Sequence, residues 1–268
     1  MLAEEVYFAD NTEDRRERTR LQMIEAALDP LTQAALLKAG VFEGARVLEI
    51  GPGAGSMVEW LADVVGTKGH VTALDINPRF VSHIDRSNVT IRTGDMMDPP
   101  AELGEFDFIY SRYVMMHLTQ PVEGAQALYK LLKPGGTILA LDPNCVTFRS
   151  SRRDHALAEA FDTLVEKGFD VLNESGIADY YFGQHSAGVL EQAGFEDVHA
   201  EAYGRLLRGG TQGALMCKES VLVVDQAIRA YAPGHAMDLG EIVAAFDDPG
   251  FLFFSPTETV TTGTRPQS

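Results

Sequence analysis

The sequence predicts an α/β protein whose core is a mostly parallel, doubly wound sheet with helices on both faces. From residue 45 to residue 142, short apolar runs alternate with helical segments, as expected for strands joined by crossover helices. The apolar runs are nearly continuous, which is typical of parallel strands covered on both faces. The chain has 268 residues, of which 45% are hydrophobic, so a core of this size can be filled.

The predicted strands follow these apolar runs in order. We predict the first five at Arg46–Ile50, Gly69–Leu74, Val89–Arg92, Phe106–Tyr110 and Thr137–Leu141. The helical segments between them run from Met57 to about Val65, briefly from Pro78, and from about Val122 to Leu132. Two later strands are predicted, at Phe195–Tyr203 and over the run from Phe251 to Thr264.

The segments outside this pattern are predicted to be helical. Residues 1–44 are assigned as an N-terminal helical lid, with one helix before Pro30 and a second from Leu31 to Ala39. The alternative is that the arginines of this segment form only a solvated face. Residues 45–268 form the main domain, with a helical insertion at about 145–185 after the fifth strand. A helix is predicted in the insertion from about Ser151 to Lys167.

Composition excludes several function classes. The formal net charge is −17 and the isoelectric point is near 4.7, so a general nucleic-acid binder is disfavoured. Two cysteines, Cys145 and Cys217, exclude a disulfide framework. The first ten residues lack the apolar core of a secretory signal, and no run of 18 apolar residues predicts a membrane span. A cytoplasmic protein acting on a small molecule is expected, and a homodimer is left open.

A glycine-rich stretch follows the first strand and is the most informative segment of the chain. It reads Val47-Leu48-Glu49-Ile50-Gly51-Pro52-Gly53-Ala54-Gly55-Ser56. Glycines at a strand end let a ligand approach the backbone, since no Cβ stands in the way. The dinucleotide fingerprint is not met, because Ser56 holds the position of its third glycine, and the lysine of a P-loop is absent. Glu49 would repel a phosphate but can hold a cationic ligand.

Acidic residues after the next two strands suit a nucleoside. Asp75 ends the second strand, where a carboxylate can accept hydrogen bonds from both ribose hydroxyls; NAD would be suited equally well. Asp95 follows the third strand and can accept from an exocyclic adenine amine, while the backbone N–H of Met96 can donate to a ring nitrogen.

Two further motifs are Phe106-Asp107-Phe108-Ile109-Tyr110-Ser111 and Leu131-Leu132-Lys133-Pro134-Gly135-Gly136. In order and spacing, all these motifs resemble the class I S-adenosylmethionine-dependent methyltransferases. The resemblance covers residues 45–142 closely, and the N-terminal helices are similar to those of actinobacterial small-molecule members. It implies a Rossmann-like, seven-stranded sheet, S-adenosylmethionine as cofactor and S-adenosylhomocysteine as product. The cofactor contacts that it implies are Glu49, Gly51, Gly53, Gly55, Asp75, Ile76, Asp95, Met96 and Ser111.

The reaction that the resemblance implies is an in-line attack on the sulfonium methyl by an O, N or C nucleophile. An oxygen nucleophile also needs a base, and His117 is the first candidate, with His155 and His185 as further ones. The alternative is that His117 packs its helix and that the other two are surface histidines. Residues that could orient or enclose the substrate are Arg112, Tyr113, Tyr180 and Tyr181, against structural roles for each.

Other function classes are weighed against this one. No catalytic metal is predicted, because Ser111-Arg112 and Asp142-Pro143-Asn144 do not match the catechol-type ligand pattern. The Asn/Asp-Pro-Pro-aromatic motif of amino methylation of macromolecules is also absent after the fourth strand. A methyltransferase-fold enzyme that catalyses cyclisation or decarboxylation is the main alternative. An NAD-dependent oxidoreductase and a non-catalytic binding module are the remaining two.

Overall fold

The computed structural model describes residues 15–231, 233–235 and 239–267. In this part of the chain the helices are α1 Arg15–Lys38, α2 Ser56–Val65, α3 Pro121–Leu131, α4 Ala158–Glu174, α5 Ser186–Ala193, α6 Gln212–Tyr231 and α7 Gly240–Ala245. The strands are β1 Arg46–Ile50, β2 His70–Asp75, β3 Val89–Thr93, β4 Phe106–Arg112, β5 Leu132–Asn144, β6 Glu196–Tyr203, β7 Leu206–Arg208, β8 Leu252–Phe254 and β9 Thr257–Thr264. None of the described helices has both the length and the apolar character that crossing a bilayer requires.

The main sheet has seven strands in the order β3-β2-β1-β4-β5-β9-β6. The pairs β1–β2, β1–β4, β2–β3 and β4–β5 are parallel, which confirms the predicted mostly parallel α/β sheet. β1 lies between β2 and β4, and four of its five residues are buried. The order reverses at β1, where the chain continues on the other side with β4, and this switch point is where open α/β sheets bind ligands.

The chain divides into two compact units. One, the strand unit, comprises Leu28–Asp142, Gly183–Glu201 and Thr259–Ser268, and its core includes the buried side chains of Val47, Leu48 and Ile109. The other, the helical unit, comprises Met1–Ala27, Pro143–Phe182 and Ala202–Glu258. Residues 1–14 lie outside the described residues, and the lid assignment of residues 1–44 stays a prediction.

The core of the helical unit is aromatic. Phe161 contacts Phe148, Phe246 and Phe251 with ring centroids 5.4, 5.5 and 5.0 Å apart. Phe253 joins the cluster from β8, 5.4 Å from Phe246. Aromatic pairs at these separations and tilts add to the stabilisation that comes from burying their area.

The predicted break at Pro30 is wrong. α1 continues through Pro30 as one helix of 24 residues. Leu28 and Leu36, on either side of the proline, are fully buried, and the hydroxyl of Thr32 donates to the carbonyl of Leu28 at 2.9 Å. Packing of this apolar face outweighs the loss of one backbone donor.

Two elements near the second half of the chain differ from their predictions. α4 begins at Ala158 and not near Ser151. The hydroxyl of Ser150 donates to the carbonyl of Arg152, and the guanidinium of Arg152 donates to Asp154. Such local side-chain bonds over residues 150–155 compete with a helix. The run from Phe251 to Thr264 forms two strands, β8 and β9, and not one. β8 pairs with the unpredicted three-residue strand β7 as an antiparallel two-stranded sheet.

Candidate active site

The loop between β1 and α2 is built from glycines in left-handed conformation. Gly51, Gly53 and Gly55 have φ values of 65°, 60° and 102°, a region that favours glycine over residues with a Cβ. Gly55 is the N-cap of α2, whose first turn begins at Ser56. The backbone N–H of Gly51 donates to the carbonyl of Leu74 on β2 at 2.9 Å, which fixes where the loop leaves β1.

Close packing also requires glycine in this loop. A Cβ at Gly51 would lie 2.5 Å from Cγ2 of Val114, a residue that follows β4. A Cβ at Gly55 would lie 2.7 Å from Cδ1 of Ile84. The loop is therefore held tightly between the segments that follow β2 and β4.

Glu49 brings a carboxylate to the core of the sheet just before this loop. It is only 3% exposed, and it pairs in register with Ala73 on β2 and Tyr110 on β4. A buried carboxylate is favourable only beside compensating positive charge or hydrogen-bond donors. A buried carboxylate at this position disfavours a pyrophosphate at the loop and is compatible with a cationic ligand group.

Two more carboxylates follow the neighbouring strands, each oriented by a backbone N–H. Oδ1 of Asp75 accepts from the N–H of Asn77 at 2.7 Å, and Oδ1 of Asp95 accepts from the N–H of Met97 at 2.8 Å. Burial raises the pKa of Asp75, although the Asn77 hydrogen bond and the charge of Arg79 oppose this shift. Both carboxylates are partly buried acceptors, one at the end of β2, which pairs with β1, and one just after β3, which pairs with β2.

Apolar side chains lie next to these acids. Ile76, directly after Asp75, is 38% exposed, which makes it an uncovered apolar surface beside the predicted ribose acceptor. Met96, directly after Asp95, is 5% exposed. An exposed isoleucine next to an acid suits the face of an aromatic base better than it suits water.

The end of β4 contributes a buried polar group. Ser111 pairs in register with Ile50, the last residue of β1, and is fully buried. Its Oγ has no hydrogen-bond partner within the described part of the chain. A buried hydroxyl next to the glycine loop is suited to a polar ligand group.

The chain after β4 turns through a strained residue. Tyr113 has φ of 57°, which is uncommon for a residue with a Cβ, and its N–H donates to the carbonyl of Leu141 on β5 at 2.8 Å. A single 3₁₀ turn, Met115–His117, follows. Oδ1 of the buried Asp142 accepts from the N–H of Met116 at 3.2 Å and so fixes this turn, which carries His117. The role of Asp142 in fixing this turn was not predicted from the sequence, although the position of this acid near the end of β5 could have indicated it.

Arg112 is engaged with α1. Its Nη1 donates to Oδ1 of Asp29 at 2.8 Å and to Oγ1 of Thr32 at 3.1 Å. The side chain of Arg112 is 10% exposed and that of Asp29 is 18% exposed. This pairing favours a structural or positioning role over the predicted substrate contact. Nothing in the local sequence indicates it, since the partners are 83 residues apart.

Three other predicted residues belong to the helical unit. His155 Nδ1 accepts from the N–H of Leu157 at 3.3 Å, which leaves Nε2 as the donor to Asp248, 3.2 Å away. Both ring nitrogens of His155 are thus engaged within the helical unit. The ring of Tyr180 stacks on Phe169 at 4.7 Å. Tyr181 donates to Asp170 at 2.9 Å, and burial together with this bond raises its phenol pKa.

His185 belongs to the strand unit, at the N-cap of α5. Its carbonyl accepts from the N–H of Val189 at 3.1 Å. The structure therefore groups the predicted residues of β1, β2 and β4 at one edge of the sheet through strand register and loop contacts.

The donor set fits S-adenosylmethionine. Three carboxylates, Glu49, Asp75 and Asp95, match in number a cationic amino group, a ribose diol and an exocyclic amine. The positive-φ glycines form a tight loop that presents backbone groups at the end of β1. A dinucleotide fits less well, because its pyrophosphate would lie next to the buried Glu49.

Comparison with known proteins gives a consistent result. The family model described as "Methyltransferase domain" matches residues 18–200. A Mycolicibacterium smegmatis protein named "Probable S-adenosylmethionine-dependent methyltransferase" is 27% identical over 183 residues, which are 64% of this chain and 65% of that protein. A Vibrio vulnificus ubiquinone/menaquinone biosynthesis C-methyltransferase is 26% identical over 176 residues, 59% of this chain and 67% of that protein. The chain thus spans about two thirds of the length of these curated relatives.

A solved structure shares the fold. It is the phosphoethanolamine N-methyltransferase 2 of Haemonchus contortus, in complex with phosphomonomethylethanolamine and S-adenosylhomocysteine. The TM-score is 0.56 at 17% identity, and the match covers 93% of this chain and 58% of that one. At this identity the likeness concerns the fold alone.

Proposed function

This chain belongs to the methyltransferase-domain family, whose cofactor is S-adenosylmethionine, and on that premise we propose that it methylates a small molecule. The observation that carries the proposal is the juxtaposition at the end of β1. There, the buried Glu49 precedes a loop whose three glycines all have positive φ, and Asp75 ends the neighbouring strand. This combination suits a ligand with a cationic amino acid part and a ribose.

The residues proposed to hold the cofactor follow from this geometry. Glu49 accepts from the amino group, Asp75 accepts from the ribose hydroxyls, and Ile76 packs on the adenine. Asp95 and the backbone of Met96 bind the adenine edge. The backbone of Gly51, Gly53, Gly55 and Ser111 lines the amino acid part. When bound, S-adenosylmethionine supplies an electrophilic methyl group on a sulfonium.

His117 is the proposed general base. The turn that carries it, Met115–His117, is fixed by Asp142 and by the strained backbone at Tyr113. A fixed imidazole in its neutral form can take a proton from an acidic hydroxyl of the acceptor. The resulting oxyanion is the stronger nucleophile, and in a hydroquinone it also activates the ring carbons. His155 is the weaker candidate, since both of its nitrogens are engaged.

The proposed acceptor is a ring-bearing small molecule with a phenolic hydroxyl. Two observations support this class. The Vibrio vulnificus relative is named for C-methylation in quinone biosynthesis. The net charge of −17 disfavours nucleic acid and other polyanionic substrates. In its narrower form, the proposal is that this acceptor is a secondary metabolite.

A labelled-methyl assay tests the proposal. The protein is incubated with methyl-labelled S-adenosylmethionine and a panel of hydroquinones, catechols, simple phenols and amines. Label on a phenolic product, with S-adenosylhomocysteine formed in equal amount, supports the proposal. Conversion of a substrate by cyclisation or decarboxylation, with the cofactor bound and unconsumed, would support the non-methylating alternative and reject methyl transfer.

His117→Ala tests the base. We expect kcat to fall by about 10²–10⁴-fold, while the affinity for S-adenosylhomocysteine stays within about twofold, because the imidazole acts on the acceptor. His83→Ala, at an exposed histidine of the same unit, is the matched control and should leave both values unchanged. Full activity of His117→Ala would remove His117 from the mechanism.

A further inference from the structure

Arg112 carries a buried charge at the carboxyl end of β4, one residue after Ser111. The guanidinium is paired with Asp29 at 2.8 Å and bonded to Thr32 at 3.1 Å, both on α1. Burial alone would lower the pKa of Arg112, but Tyr110 and the carboxylates of Asp29 and Glu49 raise it above its usual value. Arg112 therefore stays charged in this position.

Glu49 lies on the same face of the sheet as Arg112. Glu49 and Tyr110 are register partners on β1 and β4, and partners in a parallel pair point to the same face. Arg112 is two residues beyond Tyr110 in the same strand, so its side chain also projects from that face. On the other side of β1, the partner of Glu49 is Ala73, which contributes no charge.

Glu49 needs positive charge in order to stay ionised at 3% exposure. Among the described residues, the charged and titratable groups on this face include Arg112 and Tyr110 from β4, both of which interact electrostatically with Glu49, and Asp29 from α1. Tyr110 is fully buried, and burial raises its phenol pKa, so it is neutral near pH 7. Arg112 is the cation among these three groups, and its positive charge favours the ionised form of the Glu49 carboxylate.

We propose that Arg112 is a positioning residue for the cofactor site: held by Asp29 of α1 on the same face of the sheet as Glu49, it keeps the buried Glu49 carboxylate charged for the cofactor's amino group. This revises the predicted substrate contact of Arg112 and rests on the cofactor-binding part of the proposed function. It also gives residues 28–38 of α1 a role in cofactor binding without a direct contact to the cofactor.

Titration calorimetry with S-adenosylhomocysteine tests the proposal, since it measures binding and not turnover. The variants are Arg112→Gln, Arg112→Lys and Asp29→Asn, each measured between about pH 6 and 8, where free aspartate and glutamate are fully ionised. Asp107→Asn is the matched control. It breaks the Lys133–Asp107 ion pair, at 2.7 Å, near the start of β4, and the side chain of Asp107 is 23% exposed against 18% for Asp29.

We expect Arg112→Gln to weaken binding about tenfold at the upper pH, which is the loss of one charge-assisted interaction. Its affinity should fall further as the pH drops, because without Arg112 the pKa of the buried Glu49 rises and the protonated form cannot hold an amino group. The wild type and Asp107→Asn should be flat over this range. Arg112→Lys should recover part of the affinity and the flat profile.

An Arg112→Gln protein that binds with wild-type affinity and a flat pH profile would overturn the proposal. If Arg112→Gln does not fold, Asp29→Asn decides, since it keeps the shape of the side chain and removes its charge. Wild-type affinity in Asp29→Asn would then overturn the role of the ion pair, and about tenfold weaker binding would support it. Failure of the wild type to bind S-adenosylhomocysteine would instead reject the proposed function.

Discussion

At the scale of single residues, we expect the ionisation of Asp75 to make cofactor binding depend on pH. Burial raises its pKa above the usual aspartate value of 3.8, against the opposing effects of Asn77 and Arg79. Accepting hydrogen bonds from two ribose hydroxyls requires the ionised form. Affinity for S-adenosylhomocysteine should therefore fall as the pH drops through the raised pKa of Asp75. The fall should begin at a higher pH than for an exposed aspartate, with a plateau above it.

Asp75→Asn tests this titration. We expect binding of S-adenosylhomocysteine to weaken by about 1–3 kcal/mol near neutral pH, and the acid-side fall to disappear, because the titrating acceptor is gone. Calorimetry across the acidic range measures both effects. Asp63→Asn, an exposed acid of α2 paired with Arg86, is the control and should behave as the wild type. Unchanged affinity in Asp75→Asn would remove Asp75 from the site.

Gly51 is required for two reasons, its positive φ and its close packing against Val114. Gly51→Ala introduces both a Cβ at positive φ and a contact of 2.5 Å with Val114, whereas Gly40→Ala, at φ 92°, has no atom within 4 Å of its Cβ. We expect Gly40→Ala to lower the free energy of unfolding by about 1 kcal/mol and Gly51→Ala by about 1–3 kcal/mol more. Urea denaturation measures the difference. Equal losses would show that Val114 does not pack on Gly51.

At the scale of secondary structure, strands were predictable where the signal is local. β1, β3 and the starts of β4 and β6 agree with the predicted strands to within one residue. β5 is longer than predicted at both ends, because pairing with β4 extends over the Lys133-Pro134-Gly135-Gly136 turn, after a register shift between Phe106 and Phe108. Such pairing depends on a neighbouring strand and leaves no trace in the local sequence. The short β7 was not predicted, because it too depends on pairing with another strand, β8.

The continuity of α1 can be tested at Pro30. If the helix runs through this position, Pro30→Ala restores a backbone donor in the helix interior and should raise the free energy of unfolding by about 1–3 kcal/mol. Chemical denaturation gives the change. A loss of stability would favour the original prediction, in which Pro30 occupies the first turn of a separate helix.

At the scale of the whole molecule, the topology explains which parts of the site could be predicted. The carboxyl ends of β1, β2 and β4 meet at one edge because these strands are parallel neighbours, so acids and glycines at the ends of apolar runs could be grouped from the sequence. The Arg112–Asp29 and Asp142–Met116 contacts span 83 and 26 residues and involve a helix and a turn. No periodicity or spacing indicates such contacts, and tertiary packing alone sets them.

The most direct test of the central claim is calorimetric titration of the wild-type protein with S-adenosylmethionine, S-adenosylhomocysteine and NAD. Saturable binding of the first two, with no binding of NAD, is the predicted result. It follows from the buried Glu49, the three positive-φ glycines and the acids after β2 and β3. Binding of NAD alone, or of none of the three, would contradict it.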